Sequence, residues 1–213
     1  MVDTKEIKNF LNLSGQIIKG VESAQKSHRK MSCVRFGEAP EYLVTTKIGE
    51  ELAKKFPGCI NMEPSVVNVL LGAKSKGKKP TSGKFDIVLN WKNEAPRAIV
   101  EVKHPGRHAN QLVNDAARIG RALTSTKEHN LLRVGYLAFY SQTPASTKSR
   151  KNAEDLIEKR SEQIIAGITK NLDKWKCTVM LKQGKFIKDK GTAKNQQRWG
   201  RAFCLVLKRA KET

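Results

Sequence analysis

Three side chains in the middle of the chain have chemistry that their apolar surroundings do not explain: Asp86, Glu101 and Lys103. They lie in two β-branched runs, Lys84-Phe85-Asp86-Ile87-Val88-Leu89 and Ala98-Ile99-Val100-Glu101-Val102-Lys103, joined by a short polar link. That pattern predicts a β-hairpin. Alternation along a strand groups Asp86 with Val88 and Asn90, and Glu101 with Ile99 and Lys103. With the turn centred between Asn93 and Glu94, Asp86 stands directly across from Glu101, and Lys103 is one step away on the same face. Two carboxylates opposite each other destabilise a sheet. A cation between them reverses that cost, and oxygen ligands of this kind suit Mg²⁺ or Mn²⁺. The plainer alternative makes Glu101 and Lys103 solvent-facing residues of an edge strand, and Asp86 an ordinary hairpin charge.

The flanking elements must hold this hairpin in place. Apolar residues Ile7, Phe10, Leu11, Ile17, Ile18 and Val21 recur at helical spacing over residues 3–28, with a loosening expected at Ser14-Gly15. A second helix is predicted from Pro40 to about Phe56, where Pro57-Gly58 closes it. Val44, Ile48, Leu52 and Phe56 form its apolar stripe, and Glu41 projects into the middle of that stripe. A carboxylate on a core-facing side needs a partner or a metal. Glu38 and Glu63 are fallback candidates. Ser65–Leu71 reads as a strand, followed by a glycine- and lysine-rich loop with Lys74, Lys76, Lys78 and Lys79. Past the hairpin, His104-Pro105-Gly106-Arg107-His108 reads as a turn, and its Pro-Gly step rules out a rigid helical histidine pair for zinc.

A helix from about Asn110 to Leu123 turns Leu112, Ala116, Ile119 and Leu123 inward, with Gln111, Asp115 and Arg118 along one flank. A buried strand follows at Leu132–Tyr140, then a basic linker over 141–151 and a helix from Ala153 to Leu172. Strands at Lys176–Leu181 and Ala202–Lys208 close the chain, separated by a basic loop with Lys182, Lys185, Lys188, Lys190, Lys194 and Arg198. The expected fold class is α/β, a mixed central sheet flanked by helices. One domain is expected, with a helical extension at 1–37, a core at 38–140 and a further helix and strands at 141–213.

Charge narrows the partner. Lysine and arginine number 41 against 20 acidic residues, a net charge of +21. Such self-repulsion favours a polyanion as partner, and nucleic acid is the obvious one. A membrane surface is the weaker candidate, because no amphipathic segment displays the aromatics it needs. No apolar run is long enough to span a bilayer, and the first residues have no signal-peptide core. Cys33, Cys59, Cys177 and Cys204 are too far apart for a zinc knuckle or a redox pair, and a reducing, cytoplasmic or nucleoid-associated setting is expected. Trp91, Trp175 and Trp199 are either stacking platforms or core pieces.

Asp86, a strand-length gap, then Glu101-x-Lys103 resembles the core motif of the PD-(D/E)XK nuclease superfamily, over roughly residues 38–140. Phe85 stands where that motif often has proline. The resemblance implies an αβββαβ core of the restriction-endonuclease-like kind. It implies a Mg²⁺-dependent phosphodiesterase, with DNA endonuclease action expected and Mn²⁺ as a substitute ion. Asp86 and Glu101 would be ligands, joined by Glu41 from the helix ahead of the sheet and by the Val102 carbonyl. Lys103 would touch the attacking water or the phosphate, and Gln111 would support the site. Lys74, Lys76, Lys78, Lys79 and Arg107 are the expected nucleic-acid contacts. Cleavage of both strands by this class uses two sites, so a homodimer is an expectation. A non-catalytic nucleic-acid-binding protein and an inactive nuclease-like scaffold are the alternatives.

Overall fold

The computed structural model describes residues 4–32, 36–72, 83–103, 109–124, 132–144, 146–147, 149–189 and 198–209. Helix α1 (Thr4–Met31) leads through a short turn at Phe36–Glu38 into α2 (Glu41–Ala53). Strand β1 (Ile60–Met62), helix α3 (Val66–Gly72) and the hairpin β2 (Ile87–Asn90) and β3 (Pro96–Val102) follow. Next come α4 (Ala109–Thr124), β4 (Val134–Gln142), α5 (Arg150–Leu172), β5 (Cys177–Asp189) and β6 (Arg198–Arg209). Among the described residues the strands form one six-stranded mixed sheet in the order β1-β2-β3-β4-β6-β5. Only β3 and β4 run parallel; the other neighbours are antiparallel.

Strict alternation divides the apolar side chains between two cores. Ile87, Leu89, Ala98, Val100 and Val102 pack with α1 and α2 on one face. Val88, Ile99, Leu137 and Phe203 pack with α4 and α5 on the other. Helix contact is close on both faces. A Cβ at Gly20 of α1 would lie 2.5 Å from the Ile48 Cα of α2, and one at Gly135 of β4 would lie 2.1 Å from a methyl of Ile119 on α4. Larger residues there would push the helices off the sheet.

Four local expectations are corrected. Helix α1 runs unbroken through Ser14 and Gly15, and the Ser14 hydroxyl donates back to the Leu11 carbonyl at 2.8 Å. The strand expected at Ser65–Leu71 is a helix, and the strand preceding the hairpin is at Ile60–Met62 instead. Ser65 accepts from the Asn68 N–H, as a helix-capping serine does, and the buried Val66, Val69 and Leu70 fall at helical spacing. The loop expected from Lys182 is strand: Lys182, Lys185 and Lys188 lie in β5 and Arg198 opens β6, while Lys190 and Lys194 lie outside the described residues. Likewise β4 and α5 extend into the expected linker at 141–151.

Candidate metal and catalytic site

The hairpin register positions the two central carboxylates. Ile87 pairs with Val100, Val88 with Ile99 and Leu89 with Ala98. Extending that register by one residue sets Asp86 opposite Glu101, both on the α4 side of the sheet. The register shifts at Asn90, which pairs with Pro96, leaving Arg97 as an extra residue near the turn. The edge-strand alternative does not describe Glu101, because β3 lies between β2 and β4 and this side chain is fully buried.

Asp86 lies just ahead of β2, half-buried, and its Oδ2 accepts a 2.6 Å hydrogen bond from the Val102 N–H. The N–H and C=O of one strand residue point the same way, so the Val102 carbonyl is on the Asp86 side as well. Burial raises the Asp86 carboxyl above its usual range, and the charge of Glu41 adds to the rise. The Val102 N–H and the Lys103 ammonium oppose it. Burial has a larger effect on Glu101 and, with the charge of Asp86, pushes it up to about 8 despite Arg118 and Lys103.

Two cations from different elements face Glu101. Arg118 Nη2, from α4, is 2.5 Å from Oε2, and Lys103 Nζ is 3.8 Å from the same oxygen. Asp115, also on α4, lies 3.5 Å from Lys103 and 3.6 Å from Arg118 and ties both cations to the helix. Even so, neither Glu101 oxygen accepts a hydrogen bond of good geometry, and its carboxyl hydrogen-bonds the Asp86 side chain. The close Arg118 contact is therefore an ion pair whose N–H directions miss the oxygen. Ionising a buried carboxyl in that state is costly, which is why Glu101 holds its proton up to about 8. Beside it, Glu41, Lys103, Gln111, Asn114 and Asp115 line a cavity of about 210 Å³.

The fold thus brings Asp86, Glu101 and Lys103 together and adds Glu41 and Gln111 at the cavity wall. Glu38 is exposed on the short turn, and Glu63 is exposed and paired with Lys84 at 3.2 Å. Lys74, Lys76, Lys78, Lys79, His104, Arg107 and His108 lie outside the described residues. Asp115 and Arg118 are the additions. Their helical spacing from Gln111 was visible as one flank, but only the packing of α4 on β3 turns that flank toward Glu101.

The donor set fits a hard divalent cation. Among the described residues, no three acidic, histidine or cysteine side chains converge closely enough to hold an ion by themselves. Mg²⁺ does not require that: it commonly binds through one or two carboxylates, retained waters and substrate phosphates. The fully buried Glu101 carboxyl, opposite a half-buried aspartate, is the observation that favours the fit.

Comparison of the chain with protein-family profiles, with characterised proteins and with solved structures gives no significant match. Among the described residues, no helix is long and apolar enough to cross a membrane.

Proposed function

We propose that the chain is a Mg²⁺-dependent nuclease with a restriction-endonuclease-like core, acting on DNA as an endonuclease. The observation that carries this reading is Glu101: fully buried, opposite Asp86, with its oxygens facing Arg118, Lys103 and the Asp86 carboxyl. A soluble protein retains such an arrangement where the site, rather than the fold, needs it. The order α2, β1, β2, β3, α4, β4, with the short α3 inserted, agrees with the αβββαβ core that the motif's resemblance implies.

Asp86 and Glu101 would hold the ion, with Glu41 approaching from the first turn of α2 and the Val102 carbonyl on the Asp86 side. Bound there, Mg²⁺ supplies Lewis-acid polarisation of a phosphate oxygen and eases the deprotonation of water. Glu101 must first release its proton, which its raised pKa resists below about 8. Lys103, held by Asp115, is placed to donate to the phosphate or to orient the attacking water, as a compact charge suited to either task. Arg118 offsets the charge of Glu101 from the helix side.

A non-catalytic nucleic-acid-binding protein is the second reading. The observation that favours it is the same charge network, because Arg118 and Lys103 already offset much of the carboxylate charge. One experiment separates the two. The protein is incubated with supercoiled plasmid, linear duplex, single strands and RNA, in Mg²⁺, in Mn²⁺ and in chelator. The nuclease reading expects cleavage of plasmid that the chelator abolishes. Binding without any cleavage in either metal supports the second reading and sinks the first.

A further inference from the structure

A second cluster, of different chemistry, lies at the same end of the sheet as the carboxylates. Val102 pairs with Ala138 of β4, and β4 continues four residues further to Gln142, which pairs with Gly200 of β6. Two inter-strand spacings of about 4.8 Å and four residues at about 3.3 Å place Gly200 about 16 Å from Val102. A nucleic-acid strand crosses that distance within a few nucleotides.

There the β5–β6 ribbon carries two rungs, on either side of the Ile187–Gly200 pair, each pairing an aromatic ring with a cation. Phe186 is opposite Arg201, and Lys188 is opposite Trp199. The two rings stack diagonally, with centroids 5.3 Å apart and planes 8° from parallel. Lys188 Nζ is 5.4 Å from the centre of the Trp199 ring, and Arg201 Cζ is 5.3 Å from that of Phe186. Arg150, from the start of α5, adds a third cation 5.8 Å from Phe186. Glu154 and Glu158 lie within 3.9 Å of Arg201, and Glu154 also within 3.5 Å of Arg150, which fixes both guanidiniums.

A stack used only for packing has a different appearance in the same sheet. Phe139 and Phe203 stack at 5.2 Å, but both are buried in the core on the α4 side. Phe186, at the edge of that same core, and Trp199 are partly exposed and flanked by three cations. Exposed rings that alternate with cations are the components of a surface for single-stranded nucleic acid: the rings take bases, the cations take phosphates. We propose that this ribbon end binds unpaired bases of a nucleic-acid strand whose backbone runs along the sheet end to the carboxylate site. The proposal rests on the nucleic-acid partner of the reading above and not on its catalysis.

The test uses the full chain with chelator present, so that no strand is cut. Affinity is measured by fluorescence anisotropy for a labelled single strand, for the same strand with a central abasic tract, and for a duplex. The abasic strand keeps its phosphates and loses its bases. The wild-type protein should bind the intact strand about tenfold more tightly than the abasic one, within the range of one or two base stacks. Trp199→Leu should remove that preference, and Trp199→Phe should restore most of it, which separates loss of stacking from damage to the ribbon. Lys188→Gln, at an exposed position, should keep the preference and lower the salt slope by about 0.7. Equal affinity of the wild type for intact and abasic strands would overturn the proposal, as would an unchanged preference in Trp199→Leu. Absence of cleavage in a parallel Mg²⁺ reaction would count against the nuclease reading alone.

Discussion

Two clusters lie at one end of one sheet, and each sets cations against electron-rich partners. At the end of β3 the partners are carboxylates in a dry interior. Burial dominates there, so that Glu101 holds its proton up to about 8 even with a guanidinium 2.5 Å away. At the end of the β5–β6 ribbon the partners are partly exposed aromatic faces, where Lys188 is exposed and Arg201, though largely buried, is offset by Glu154 and Glu158. The first arrangement is under electrostatic load and should respond sharply to protons and divalent ions. The second should respond to a polyanion and hardly at all to pH near neutrality. The same side-chain types therefore serve different ends, according to how much water reaches them.

The largest effect expected from breaking this contrast is on the carboxylate side. Asp86→Ala should reduce cleavage by about 10³-fold or more, because it removes a metal ligand, yet leave DNA binding intact or stronger. Lys103→Ala should slow single-turnover cleavage by about 10²–10³, the loss typical of one donor to developing charge, with metal affinity largely kept. An unchanged rate in either variant would return that residue to a structural role.

The proton dependence comes next. Below about 8 a divalent ion must displace the proton of Glu101, so its apparent affinity should fall about tenfold for each pH unit lowered. Calorimetric titration with Mg²⁺ or Ca²⁺ from about two pH units below that value to about one above it reads this directly. A flat profile would mean that Glu101 does not take the ion. Stability in chelator should move in the opposite sense. Glu101 binds its proton up to about 8 when folded but only near the ordinary 4.5 when unfolded. Between those values the folded state holds more protons, so wild-type stability falls as pH rises and stays reduced above about 8. Gln has no proton to lose. Thermal melts of Glu101→Gln against wild type should therefore show a stability difference that shifts in the variant's favour across this window and is constant above it. A difference independent of pH would contradict the assigned pKa.

The smallest expected effect belongs to the lysine-rich segment. Replacing Lys74, Lys76, Lys78 and Lys79 together by Ala should flatten the plot of log affinity against log salt by about 0.9 per lost phosphate contact on duplex DNA. Identical slopes would make that segment solvated surface and leave the β5–β6 ribbon as the stronger basic contact.

Period-two alternation made the hairpin legible, because a one-residue slip would turn the side chains of a strand from one core to the other and separate Asp86 from Glu101. The register drifted only near the turn, where Arg97 is the extra residue and its guanidinium lies 4.5 Å from the centre of the Trp91 ring. Helix α3 was misread because Val66, Val67 and Val69 are strand-favouring residues; the Ser65 cap and the burial of Val66, Val69 and Leu70 prevailed over that preference. Of the site, the carboxylate pair and Lys103 were legible from strand pattern and charge. Asp115 and Arg118 were not assigned, because their role depends on how α4 packs over β3, which a helical repeat does not report. The aromatic–cation rungs of β5 and β6 were hidden for the same reason: Lys188 and Trp199 are remote in sequence and meet only through strand pairing.

The central claim is that Glu101 is buried in order to hold a metal ion for phosphodiester cleavage. Its most direct test compares wild-type and Glu101→Gln protein on supercoiled plasmid in Mg²⁺, with a gel-shift of the same DNA in chelator alongside. The account predicts that wild type nicks or linearises the plasmid, and that Glu101→Gln shifts the DNA at least as well without cutting it. Cleavage by Glu101→Gln at the wild-type rate, or no cleavage by wild type, would contradict it.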